Sequence, residues 1–313
     1  MKANEVFQIL TQELTRVVVG QEELCRMLAV CLISGGHVII EGAPGLGKTL
    51  AARAMAKVVN VPFKRVQFTP DLMPSDIIGV NVYNAASGGF VLRRGPLFTN
   101  ILLADEINRT PSKTQSALLE AMEERSITID GVSYALAQPF MVIATQNPIE
   151  YEGTYPLPEA QLDRFMAKLK VDYPEHQEAK RLLFNVQNGF DAQEIQEIKP
   201  LLSAQDVLEA RAEAQAVHVE DTLFDYILTI LSATRTNPAV YLGASPRAGI
   251  ALMQAGKVLA LLEDRTFCVP EDFKSIAKHL LCHRLILTPD AEIDGLTPEK
   301  VLDQVLSTVA VPK

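Results

Sequence analysis

Apolar and polar positions along this chain fall into blocks of two kinds. Strand candidates, apolar throughout or interrupted by single polar positions and one polar pair, occupy 37–41, 63–68, 100–104, 140–145 and 165–171. Each has strand length, and stretches of helical periodicity fit between most of them. This alternation predicts an α/β fold with a mainly parallel, five-stranded sheet covered on both faces. Residues up to about 36 read as amphipathic helix, broken at Val17-Val18-Val19-Gly20-Gln21. Two interruptions read as hairpins. The first lies within 71–98 and pairs Val80-Asn81-Val82-Tyr83 with Gly89-Phe90-Val91-Leu92. The second pairs Ile127-Thr128-Ile129 with Val132-Ser133-Tyr134 across Asp130-Gly131, a strong two-residue turn signal. Hairpins at the rim of such a domain are expected to contact a partner.

After Pro174 the pattern turns helical. Ser203 with Asp206, Ser245 before Pro246, and Val269 before Pro270 mark helix starts. The expected division is an α/β core at 1–190 that includes the N-terminal helices, a linker at 191–197 and a smaller all-α domain at 198–313. A length of 313 residues accommodates two cores, and 48% apolar with 21% charged residues describes an ordinary globular protein. The net charge of −9 weighs against a nucleic acid as the main partner. No apolar run approaches a membrane span, and Met1-Lys2-Ala3-Asn4-Glu5 does not resemble a signal peptide, so a cytoplasmic protein without membrane insertion is expected. Cys25, Cys31, Cys268 and Cys282 form no C-x-x-C pair and are expected as free, buried thiols. His279, Cys282 and His283 share a helical turn, but Leu280-Leu281 between them suggests packing rather than metal ligation.

Candidate chemistry begins at Gly42-Ala43-Pro44-Gly45-Leu46-Gly47-Lys48-Thr49, which matches G-x-x-x-x-G-K-[ST]. A buried strand precedes it and a helix follows. Glycines let backbone N–H groups converge on phosphate oxygens, and the helix N-terminus, with Leu50 in its first turn, adds partial positive charge. Lys48 should pair with the β- and γ-phosphates of a nucleoside triphosphate, and the Thr49 hydroxyl should reach Mg²⁺. A second motif, Ile101-Leu102-Leu103-Ala104-Asp105-Glu106, is an apolar strand ending in two carboxylates. Asp105 should hold the Mg²⁺ shell beside Thr49, and Glu106 should polarise the attacking water, which favours hydrolysis. A third, Ala144-Thr145-Gln146-Asn147-Pro148, brings Asn147 to the sheet's C-terminal edge, where its amide could orient that water.

Together these motifs resemble AAA+ ATPases, and specifically the MoxR family. The resemblance is also carried by Val18-Val19-Gly20-Gln21, by Gln67-Phe68-Thr69-Pro70-Asp71-Leu72-Met73-Pro74-Ser75-Asp76, and by Asp105-Glu106-Ile107-Asn108-Arg109. Pro158-Glu159-Ala160-Gln161-Leu162-Asp163-Arg164-Phe165 and Gly243-Ala244-Ser245-Pro246-Arg247 extend it over nearly the whole chain. It implies an AAA+ core with a helical lid and places Gln21 beside the nucleotide. Arg164 matches the arginine finger that reaches a neighbouring subunit's γ-phosphate. Arg247 matches the lid's sensor-2 arginine, acting in its own subunit or the next. Gln67 matches a polar residue that touches the catalytic glutamate, while Arg109 stays unassigned. The resemblance further implies hexameric rings, chaperone-like remodelling of an unidentified client, and a partner with a von Willebrand factor A domain. Other readings are a magnesium-chelatase ATPase subunit, a nucleic-acid motor or transcription activator, and a non-hydrolysing scaffold. The activators' G-A-F-T-G-A loop is absent from the sequence, the net charge disfavours a motor, and Asp105-Glu106 disfavours a scaffold.

Overall fold

The computed structural model describes residues 1–86, 88–147, 154–187 and 198–312. Pro148 and the expected linker at 191–197 therefore lie outside the described residues. The chain opens with α1 (Ala3–Val17) and α2 (Glu22–Ser34), then β1 (Val38–Gly42), α3 (Lys48–Val58) and β2 (Phe63–Gln67). Next come α4 (Pro74–Ile78), the hairpin β3 (Gly79–Asn84) and β4 (Gly89–Arg94), β5 (Ile101–Asp105) and α5 (Ser112–Glu124). A second hairpin, β6 (Ser126–Ile129) and β7 (Val132–Ala135), leads to β8 (Met141–Gln146), α6 (Glu159–Leu162), β9 (Ala167–Val171) and α7 (His176–Gln187). The C-terminal part comprises α8 (Ala204–Gln215), α9 (Asp221–Thr236), β10 (Val240–Leu242), α10 (Pro246–Leu262), α11 (Pro270–Leu281), β11 (Ile286–Leu287), α12 (Pro289–Ile293) and α13 (Pro298–Thr308).

The five expected strands form one sheet in the order β2-β5-β8-β1-β9, with every pairing parallel. Strand alternation divides their side chains between two apolar layers. Val38, Ile40, Leu103 and Ile143 face α1, α2 and α3, while Ile39, Leu102, Val142 and Ala144 face the layer containing α5. Both faces of the central strands β1, β5 and β8 are thus dry, which explains why those strands read as continuous apolar runs, while the edge strands β2 and β9 keep lysine or arginine at exposed or part-exposed positions. The two hairpins form separate antiparallel ribbons whose observed pairing includes the residues expected.

The C-terminal part is helical, with one addition the sequence pattern did not disclose. Strands β10 and β11 pair antiparallel over a small satellite core of Val240, Leu287, Ala291 and Val301. At three and two residues, they are too short to leave a periodic signal. Ser203 and Ser245 cap α8 and α10 by accepting from the Asp206 and Ala248 N–H groups. Helices α1 and α2 pack against α8 and α10 in one continuous apolar cluster, so the C-terminal helices share a core with the first. The four cysteines are unpaired, and burial pushes each thiol up to about 12. His279 instead pairs with Glu23 at 3.0 Å, and His283 Nε2 lies 3.2 Å from the Phe165 carbonyl. Among the described residues, no helix is long and apolar enough to cross a membrane.

Candidate active site

The C-terminal ends of β1, β5 and β8 converge on a cleft of about 900 Å³. Open parallel sheets bind ligands at this edge because loops diverge there and helix N-termini point inward. The loop after β1 lines the cleft from Pro44 through Leu50. Gly45 and Gly47 take left-handed backbone (φ 85° and 79°), which turns the chain sharply before α3. Gly42 lies behind the lining, where a side chain would come within 2.5 Å of the Val171 carbonyl. Its own carbonyl accepts from Lys48 Nζ at 2.6 Å. Ala43 is buried beside it. Burial pushes the Lys48 ammonium below its ordinary pKa, and Asp105 and Glu106 oppose that shift.

Asp105 and Glu106 both line the cleft, as do Gln146 and Asn147. Glu106 sits at φ 56°, ψ 50°, a conformation that disfavours residues other than glycine and aims its side chain across the strand ends. Thr145, fully buried, ties the two motifs together: its hydroxyl donates to Asp105 Oδ1 at 2.5 Å and accepts from the Glu106 N–H at 2.9 Å. The expected contact of Gln67 is present, with Nε2 donating to Glu106 Oε2 at 2.6 Å. The same oxygen lies 3.3 Å from Arg109 Nε, which supplies the contact that the sequence left unassigned.

Arg65 was not singled out from the sequence. It lines the cleft, donates to Asp105 Oδ2 from Nη2 at 2.6 Å and Nε at 3.0 Å, and reaches Gln67 Oε1 at 3.1 Å. Its signal lay in strand spacing: Arg65 and Gln67 are two apart on β2, whose partner β5 carries Asp105 opposite Gln67. An apolar wall of Val17, Val18, Leu46, Leu182 and Val186, with Gln21 beside it, completes the cleft. The hydroxyl of Thr49 and the carboxylate of Asp105 are hard oxygen donors on one cleft. That set suits a Mg²⁺ that keeps water and takes its remaining ligands from phosphate.

Arg164 and Arg247 are not among the residues lining this cleft. They meet each other instead at Glu123, near the end of α5. The structure thus brings Lys48, Thr49, Asp105, Glu106 and Asn147 together and sets the two arginines apart as a second group.

The pattern of the ATPase family associated with various cellular activities (AAA) matches residues 37–167, and that of the AAA lid domain matches 232–305. The chain is 46% identical to the uncharacterised protein YeaC of Bacillus subtilis, over 96% of this chain and 93% of that protein. It is 44% identical to the chaperone MoxR1 of Mycobacterium tuberculosis, over 96% of this chain and 81% of that protein. A crystal structure of a candidate ATPase from Cytophaga hutchinsonii superposes with a TM-score of 0.91 at 40% identity, covering 99% of this chain and 96% of that one. With its phosphate loop and paired carboxylates on one cleft and a lid pattern over 232–305, the chain belongs to the MoxR family of AAA+ ATPases.

Proposed function

We propose that this protein hydrolyses ATP with Mg²⁺ at sites shared between neighbouring copies in a hexameric ring, and uses the cycle to remodel partner proteins. One observation carries the reading. A single cleft gathers the groups that bind phosphate and activate water, while Arg164 and Arg247 sit outside it and are paired with each other's partner, Glu123. The apolar wall around Val18 and Leu46 suits a purine base, and Lys48 with the α3 N-terminus suits the phosphates. Mg²⁺ at Thr49 and Asp105 would supply charge neutralisation on the phosphate oxygens. Glu106 takes the proton of the attacking water, and the Asn147 amide orients that water. Arg164 of the adjacent copy, joined by Arg247, stabilises charge on the departing γ-phosphate only when the ring is assembled. A role in chaperone-like remodelling is consistent with the naming of MoxR1 as a chaperone, and the partner proposed for it is a protein with a von Willebrand factor A domain.

Four measurements test this. Glu106→Gln should retain ATP binding and lose at least about 100-fold in turnover, the usual contribution of a positioned base. Arg164→Ala should lose about 1,000-fold, and the parent's rate per subunit should fall on dilution. Undiminished turnover by Arg164→Ala, with a rate independent of protein concentration, overturns the shared site. ATP-loaded Glu106→Gln should capture a protein with a von Willebrand factor A domain from lysate. Capture of nucleic acid or chelatase subunits instead would favour the alternative functions.

A further inference from the structure

Glu123 lies in the last turn of α5, where the helix dipole disfavours a carboxylate, and Glu120 and Glu124 line the same shallow hollow. An anion in that position is costly without cationic partners. Glu123 has two, one on each oxygen. Oε2 forms an ion pair with Arg164 Nη1 at 3.0 Å, and Oε1 accepts from Arg247 Nη2 at 2.5 Å. Arg164 follows α6 in the core and is steadied by donating to the Leu119 carbonyl at 2.9 Å. Arg247 is the second residue of α10 in the lid. The carboxylate thus joins cations from two bodies that would otherwise repel each other. Each guanidinium carries five N–H donors, so these contacts use a minority of them. The neighbouring residues reinforce the join, since Asp163 accepts from the Ser245 hydroxyl at 2.9 Å and from Arg284 Nε at 2.6 Å.

Part-exposed ion pairs add little to folding stability, so stability does not account for this arrangement. Geometry does, because displacing a charge-stabilising group by about 1 Å can cost about 100-fold in rate. We propose that Glu123 is a positioning residue that binds core Arg164 and lid Arg247 into one two-cation claw for the γ-phosphate of a neighbouring copy's ATP. This rests on the shared-site reading above.

Mixing experiments separate the two ideas. Glu123→Ala should lose on the order of 10- to 100-fold in kcat at saturating ATP. Its affinity for ATP, measured by fluorescent-nucleotide titration of the dilute chain, should stay within about twofold of the parent, because the cleft is untouched. The double variant Glu123→Ala/Arg164→Ala should be no slower than Arg164→Ala alone. Mixed with Glu106→Gln, Glu123→Ala should regain turnover, since its intact cleft then meets the other copy's intact claw. If Arg164→Ala is complemented this way but Glu123→Ala keeps the parental rate, or is slow and not complemented, the positioning role is wrong. If Arg164→Ala itself is neither slowed nor complemented, the shared site fails and the claw fails with it. Should Glu123→Ala lose ATP binding through misfolding, Glu123→Gln replaces it with the same expected outcomes.

Discussion

Glu106 Oε2 accepts from Gln67 at 2.6 Å and lies 3.3 Å from Arg109, so the atom that should accept the water's proton is held by neighbouring side chains. Asp105 is held similarly by Arg65 and Thr145. The two carboxylates proposed to act in hydrolysis are therefore each held by neighbouring side chains. A hydrogen bond to a charged group contributes about 1.5–3 kcal/mol, enough to govern a rate. Gln67→Ala is expected to raise basal ATP turnover on the order of tenfold and to shrink any further stimulation by a partner. Steady-state phosphate release with and without partner decides it, and unchanged values would remove the restraint. His37 illustrates a different residue-level cost. Its Nδ1 accepts from the Val142 N–H at 2.9 Å, Nε2 faces the Met122 carbonyl at 3.2 Å, and burial pushes its pKa down to about 4. The unfolded chain takes up that proton near the ordinary 6.5, so stability is intact above 6.5 and is lost as pH falls toward 4. Urea unfolding at pH 7 and pH 5 should show the parent losing about 2 kcal/mol more than His37→Gln between those values.

At the scale of elements, the parallel sheet, both hairpins, the phosphate loop and the capped helix starts were legible because each is written in contiguous residues. Asp-Gly between β6 and β7 and the apolar runs of the sheet are local signals. The strands β10 and β11, the clamp on Glu123 and the Arg284 hub were not legible, because each depends on distant pairing. Arg284 is a nearly buried cation whose Nε donates to Asp163 Oδ1 across 121 sequence positions, and it also donates to the Met166 and Phe165 carbonyls. It fixes the turn after α11 against the end of α6. Asp163→Ala would leave that guanidinium buried without its carboxylate, a change that usually costs about 3–5 kcal/mol. Denaturant unfolding should show a loss of that size. A loss below about 1 kcal/mol, the usual value of an exposed pair, would mean the hub contributes little to the join.

For the whole molecule, ATP chemistry becomes useful only if motion reaches something outside the cleft. The hairpin of β3 and β4 exposes Val82, Tyr83, Phe90 and Val91, an apolar surface on a protein whose net charge is −9. Tyr83 and Phe90 are register partners with ring centroids 5.6 Å apart in edge-to-face contact, yet they are 58% and 74% exposed. Folding alone does not account for two aromatic rings left in water. The Asn81 amide donates to Asp130 at 2.8 Å, which ties this hairpin to the second one and gives the pair a common footing. These features favour the hairpins as the surface that meets a client. An aromatic anchor at an interface contributes about 2 kcal/mol, or about 30-fold in affinity, so removing both rings in Tyr83→Ser/Phe90→Ser should weaken client capture by on the order of 1,000-fold. Neither residue lines the nucleotide cleft, so ATP turnover without a partner should stay within about twofold of the parent. Capture by the ATP-loaded Glu106→Gln background, with and without the hairpin substitutions, measures the first quantity and phosphate release in the parental background the second. Equal capture by both forms would show that the client is gripped elsewhere, and a fall in basal turnover would show that the hairpin supports assembly of the ring rather than contact with the client.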